Sequence, residues 1–217
     1  MAREAGVSAF PEGWAPGTWR ITGTSLDGGW LPLPVPGDGT DTAQWVAENT
    51  AALRESWGPS WSADAERVVP AVLSAAPGRR RPEDALAFQI WPAPHPVCVF
   101  VHVEMGRRAP DDAMPGPGDG ILFASEGLGA GVLVPRTEEI GGAAAVGYDI
   151  LFGFEGDVVV VVSVEPTFSD LLGFVSPSIQ AFVSSLTLTG PDDRELRALT
   201  PALLEAEATN SWIDSLA

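Results

Sequence analysis

The chain has 217 residues, 45% of them hydrophobic, and a formal net charge of −17 from 29 acidic and 12 basic side chains. Length and apolar content suit one generous domain with its own core. The acidity argues against nucleic acid, which needs clustered Lys or Arg, and it repels anionic membranes while favouring a basic partner surface. All the basic residues are Arg and none is Lys, and the single Cys excludes an intrachain disulfide.

Residues 1–17, rich in Gly, Pro and Ala, lack the apolar core of a secretory signal and read as a flexible arm. "TWRIT" (18–22) and "WLPLPV" (30–35) read as short strands on either side of the turn "SLDGG". Pro32 and Pro34 make the second an edge strand or an extended segment. The clearest helix follows. Asp41 is its expected N-cap, with Gln44 at capping-box spacing. Val46, Leu53 and Trp57 form one apolar stripe, and Gly58-Pro59 stops it. A second helix starts at Ser62 or Asp64 and presents Val68, Val69, Val72 and Leu73. Pro70 kinks it or moves its start later, and Pro77-Gly78 ends it.

"DALAFQIW" (84–91) then alternates, with Leu86, Phe88 and Ile90 on one face and Ala87, Gln89 and Trp91 on the other. "VCVFVHVEM" is the next strand. A Gly/Pro/charge loop (106–120), two short strands within 121–136, and the hairpin "YDILFGFEGDVVVVVSVE" turning at 155–157 come after it. The unalternating "VVVVV" predicts a central strand covered on both faces. Residues 166–188 carry an apolar helical stripe expected to break at Gly173 and Pro177. Residues 191–217 read as an acidic helical tail, with Asp192 and Asp193 capping it.

Strands in runs rather than alternating with helices predict an α+β class: a mainly antiparallel sheet of about six strands flanked by helices, spanning 18–190. The span 84–188, a strand meander closing on an apolar helix, resembles the second half of the PsbP-like fold. "WLPLPV…DTAQWVAENTAAL" is similar to its first half. That fold, an α/β/α sandwich, serves photosystem II extrinsic subunits, a Ran-binding nuclear transport factor, actinobacterial lipoproteins and chaperones that hold secretion effectors. The Arg-for-Lys, Ala, Gly and Pro usage also resembles actinobacterial composition. The lipobox Cys of the lipoproteins is missing, so their membrane anchor is not implied. The resemblance brings no catalytic residues.

Both histidines and the lone Cys fall in "HPVCVFVHVEM" (95–105). On a strand, Cys98, Phe100, His102 and Glu104 share one face, opposite a valine face that includes Val97. Cys98 and His102 are then ~13 Å apart at ~3.3 Å per residue, too far for a thiolate–imidazole dyad. His95, Cys98 and His102 lack a fourth zinc ligand. "DDAMPGPGDG" lacks the EF-hand pattern, "GLGAG" is neither a dinucleotide nor a Walker loop, and "ASEG" is no nucleophile elbow. No catalytic residue, metal site or cofactor is expected. The candidate ligand or partner face is Gln89, Trp91, His102 and Glu104. Seven tryptophans between Trp14 and Trp91 could form an aromatic cluster.

The expected function is a non-enzymatic, cytoplasmic protein-binding adaptor or chaperone, linked to a bacterial secretion or toxin–immunity system, with another protein as partner and oligomerisation left open. The alternatives are a small-ligand binder or enzyme using the His102/Glu104 face, and a structural subunit of a larger assembly.

Overall fold

The computed structural model describes residues 19–25, 29–37, 39–92, 94–108, 114–115 and 119–201. The class is α+β, and the main sheet is antiparallel throughout with seven strands rather than about six. Its strands are β2 (Trp30–Pro32), β3 (Asp84–Ile90), β4 (Val99–Arg107), β5 (Ile121–Ser125), β6 (Gly129–Ile140), β7 (Ala143–Gly153) and β8 (Val158–Thr167), in spatial order β2-β3-β4-β8-β7-β6-β5. A small second sheet joins β1 (Arg20–Thr22) and β10 (Glu195–Leu196) to either side of β9 (Thr187–Thr189). The two strands flanking "SLDGG" therefore pair in different sheets. The Pro-bearing β2 is an edge strand, where missing ladder donors cost least.

Two helices cover one end of one sheet face, and the third covers the other face. α1 (Thr42–Trp57) is capped by Asp41, whose Oδ1 accepts from the amides of Ala43 at 2.8 Å and Gln44 at 3.3 Å. The capping box is incomplete, because the Gln44 amide donates to Glu48 one turn on. Gly58, at φ +47°, ends the helix. α2 (Ala63–Ala75) starts at its Ser62 cap and passes through Pro70. α3 (Ser169–Ser185) also runs unbroken through Gly173 and Pro177. Both residues are exposed, so the carbonyl that Pro177 cannot serve faces water, and the expected break does not form.

α3 buries Val175, Ile179, Phe182 and Val183 against Phe88, Val101, Val103, Val160, Val162, Ile150 and Phe152, forming the main core. On the opposite face Leu53, Trp57, Ala65, Val69 and Leu73 pack on Leu31 and Trp91. The valine face of β4 is core for Val99, Val101 and Val103, whereas Val97 precedes the strand and is 43% exposed. β8 is fourth of seven strands. Its even-numbered valines are buried, and Val159 and Val161 are half-buried on the other face.

Residues 191–201 form a turn, β10 and an extended run instead of a helix. Asp193 has φ +57° and pairs with Arg20 rather than capping. The arm at 1–17 and residues 202–217 lie outside the described residues.

Gly127 sits where α3 meets β5, and a Cβ there would lie 1.8 Å from the Leu186 carbonyl oxygen. Gly127→Ala is expected to lower unfolding free energy by about 1–3 kcal/mol, the range for overpacking. Gly173→Ala, with open space around it, is expected to leave stability equal or up to ~1 kcal/mol higher. Urea denaturation separates the two. Equal midpoints would contradict the packing described.

Candidate functional site

The expected face exists, but its four residues divide into two groups. Gln89, Trp91, His102 and Glu104 do lie on the side that α1 and α2 partly cover. Register pairs His102 with Ala87 and Ser163, and Gln89 with Phe100. His102 and Glu104 do not contact each other through hydrogen bonds. Each has partners from elsewhere.

His102 is fully buried. Its Nδ1 lies 2.8 Å from Asp84 Oδ2 and its Nε2 lies 3.1 Å from Glu165 Oε1. A carboxylate only accepts, so both contacts are satisfied when both ring nitrogens carry a proton. Three consecutive arginines, starting at the last residue of the 3₁₀ turn Ala76–Arg79, complete the cluster. Arg79 pairs with Glu165 and stacks its guanidinium 5.2 Å from the Phe100 ring centre. Arg80 donates to the carbonyls of Leu33, Asp84 and Ala85 at 3.0–3.3 Å. Arg81 donates from Nη1 to Glu104 at 2.6 Å and from its backbone N–H to Asp84 Oδ2 at 2.7 Å. Small residues make room for this approach, since Ala76 and Ala87 are both buried beside Leu33. When His102 is protonated, the side chains of Arg79, Arg81 and His102 face those of Asp84, Glu104 and Glu165, three cations against three carboxylates.

Burial opposes charge on His102, but the hydrogen bonds it donates to Asp84 and Glu165 outweigh it and hold its pKa above the ordinary 6.5. Burial likewise favours protonated Glu165, and the hydrogen bonds from His102 and Arg79 outweigh it, holding that carboxyl below its usual 4.5. Neither ring nitrogen of His102 is free to exchange a proton with a substrate. The two carboxylates flank opposite edges of the imidazole, so they cannot converge on one cation with it. Among the described residues no cluster of three His, Cys, Asp or Glu is placed to hold a metal ion. The neighbouring Ser163 donates to Asp149 Oδ1 at 2.6 Å, and Arg136 pairs with the same oxygen at 3.2 Å. Ser163 is therefore not poised against His102 as a nucleophile against its base.

Gln89 and Trp91 belong to an aromatic quarter instead. Trp91 Nε1 donates to Gln89 Oε1 at 3.1 Å. Trp57 stacks near both Trp61 and Trp91, with ring centres 5.2 and 6.1 Å apart. Cys98 packs against this cluster, and burial pushes its thiol up to about 12, so it is no thiolate nucleophile. Trp30 lies on the other side of the sheet, against Phe88 and Phe182.

Between these two aromatic groups a cavity of about 820 Å³ opens at the sheet end where β2 begins and β3 stops. Trp30, Ile90 and Trp91 line its base. Leu53, Ser56, Trp57 and Ser60 line one wall, and Phe174, Pro177, Ser178 and Ala181 of α3 line the other. Among the described residues that line it, no side chain is ionisable. Sequence reasoning placed Trp91 on a ligand face but missed Phe174 and Pro177. Their i, i+3 spacing with Ala181 on the exposed side of α3 was the available signal.

The chain matches no family model, no curated protein and no solved structure. No helix among the described residues is long and apolar enough to cross a membrane.

The network's contribution to stability has a defined pH window. The raised His102 pKa contributes stability in full below about 6.5 and loses it as pH rises through the folded value. The lowered Glu165 pKa contributes above about 4.5 and loses it as pH falls. Stability should therefore be greatest between these limits and decline on the alkaline side. Replacing His102 with Leu leaves two carboxylates without their shared cation and should cost about 3–5 kcal/mol while removing the alkaline decline. A His102→Leu protein with wild-type stability and an unchanged pH profile would show that the network is not formed.

Proposed function

We propose that this protein is a non-enzymatic binding protein, an adaptor or chaperone-like holder of another protein, which it engages through the cavity between α1 and α3. One observation carries the reading. The large concave site is walled by aromatic, proline, aliphatic and serine side chains, whereas the charged residues that could do acid–base work are neutralised against one another inside the sheet face. Apolar pockets with a few polar groups are the usual recognition sites of folded proteins. Phe174, 65% exposed on the rim, is the kind of large aromatic that anchors an interface.

The net charge of −17 favours a partner with basic residues around an uncharged central segment. A cytoplasmic setting and a link to a secretion or toxin–immunity system belong to the same proposal, and so does the PsbP-like kinship, which rests on element order and hydrophobic pattern. The reading of His102 and Glu104 as a ligand face loses its support, because both side chains are consumed by internal partners.

A photo-crosslinking residue at position 174, introduced in the native cell, should yield a discrete protein adduct. The same residue at position 137, exposed near the tip of the β6–β7 hairpin, should not. Adducts that are absent, or identical from both positions, would overturn the adaptor reading.

A further inference from the structure

The outer strands of an open sheet present unpaired N–H and C=O groups that invite another chain, and natural proteins blunt them with short strands, charges, prolines or bulges. Most outer strands of this protein are blunted. β2, at one end of the large sheet, is three residues long and contains Pro32. β1 and β10, which flank the small sheet, have three and two residues. The part of β6 that extends past β5 carries Pro135, Arg136, Glu138 and Glu139. β5, at the far end of the large sheet, has none of these devices. Its sequence "ILFAS" holds no charge and no proline, and it pairs with β6 over five residues without a register shift. Ile121 is 63% exposed and Leu122 39%. Among the described residues, the backbone of Ile121–Ala124 bonds to β6 alone. This edge is both open and apolar.

We propose that β5 receives an extended segment of another protein as the eighth strand of the sheet, and that this segment has an apolar centre flanked by Lys or Arg. Successive β5 side chains point to opposite faces. Phe123 stacks edge-on against Phe152 beneath α3, so Ile121 shares the α3 face while Leu122 and Ala124 take the other. An incoming strand therefore meets hydrocarbon on both faces over ~17 Å, five residues at ~3.4 Å each. Charge selects the occupant. A second copy would bring −17 against −17. Paired antiparallel about Phe123, it would set Glu126 of one copy opposite Gly120 of the other, beside Asp119. Carboxylates would then meet at both ends of the new strand pair, which is destabilising. Arg197 does not relieve this, because its guanidinium bonds the Glu126 main-chain carbonyl rather than the carboxylate. The same acidic positions bracketing β5 attract a strand with cations at its ends. Main-chain bonds supply the affinity of such an added strand, and its side chains the selectivity. The described residues that line the cavity include none from β5, β6 or β7, so this inference does not rest on the adaptor reading.

The test is calorimetric titration of the full chain with a capped nonapeptide whose Val-Val-Thr-Val-Val centre has two lysines at each end. Three control peptides accompany it. One has glutamates in place of the lysines, one is N-methylated at adjacent central residues and so cannot pair along either edge, and one is a capped Ala/Lys helix. Saturable binding of the first peptide alone is expected, with slowed hydrogen exchange at β5 amides. Leu122→Glu and Ala124→Glu add a charge that attracts the lysines but spoil the apolar edge, and each should weaken binding at least about tenfold. Phe174→Asp, on the cavity rim, should leave it unchanged. Binding that both edge variants leave intact or tighten, equal binding of any control peptide, or no binding overturns the assignment. Sedimentation should give the same mass for the free chain and for Leu122→Glu. A mass that falls in the variant would give the edge to a second copy and likewise overturn it. A position-174 adduct without peptide binding would remove the β5 assignment and leave the adaptor reading intact. Peptide binding without an adduct would do the reverse.

Discussion

Three adjacent arginines fasten the helical layer to the sheet, and much of the molecule depends on that fastening. Arg79, Arg80 and Arg81 leave the end of α2 and reach, respectively, β8, the β3 bulge and β4. His102, whose imidazolium form bridges Asp84 and Glu165, ties β3 and β8 across the strand between them. Such an arrangement is a poor source of net stability compared with an apolar core of equal volume. It does fix orientation, because each guanidinium has directional partners. Apolar contacts alone would let the α1–α2 pair slide over the sheet.

That fixed placement bears on the cavity. α2 meets the sheet through Ala65, Val69 and Leu73 against Leu31 and Trp91, and the turn after it through Ala76 beside Ala87 and Leu33, where small side chains allow close approach. α1 is carried along by Leu53 and Trp57, so its last turn stands over the end of β3. On the other face, α3 is held by Phe182 and Ile179 in the main core. The groove lies between two helices anchored to opposite faces of one sheet. Its width is set by the sheet rather than by contacts between the helices, which suits a site whose walls stay in place when it is empty.

Much of this was legible in the sequence. Alternation in 86–91, the valine face of 99–103 and the Asp41 cap all came from local spacing, which governs them, and of the two starts offered for α2, Ser62 and Asp64, Ser62 is the cap. α3 was legible in its apolar stripe but not in its continuity: Pro177 and Gly173 look like breakers unless one knows that both face solvent. Cys98 falls one residue before β4 and packs with the Trp57 and Trp91 cluster, whereas His102 lies inside the strand. The partners of His102 could not be read in the same way. Asp84 and Glu165 lie 18 and 63 residues from it along the chain, and only the strand order β3-β4-β8 brings them together. The run Arg79-Arg80-Arg81 is equally silent in the sequence, because its carboxylate partners Glu165 and Glu104 lie 86 and 23 residues away. The cavity was still less visible, since its walls come from both faces of the sheet.

The bulge in β3 has a consequence for how the gene can change. Counted by parity, Asp84 belongs with Leu86, Phe88 and Ile90, whose side chains face the core. The shift between Asp84 and Leu86 puts Asp84 opposite Glu104 instead, on the charged side, with Ala85 as the supernumerary residue. Ala85 thus works as a phase marker. Losing that one codon would straighten the strand yet keep the carboxylate on the charged side, now directly before Leu86, whereas closing the bulge with Ala85 retained would turn Asp84 toward the hydrocarbon beneath α3.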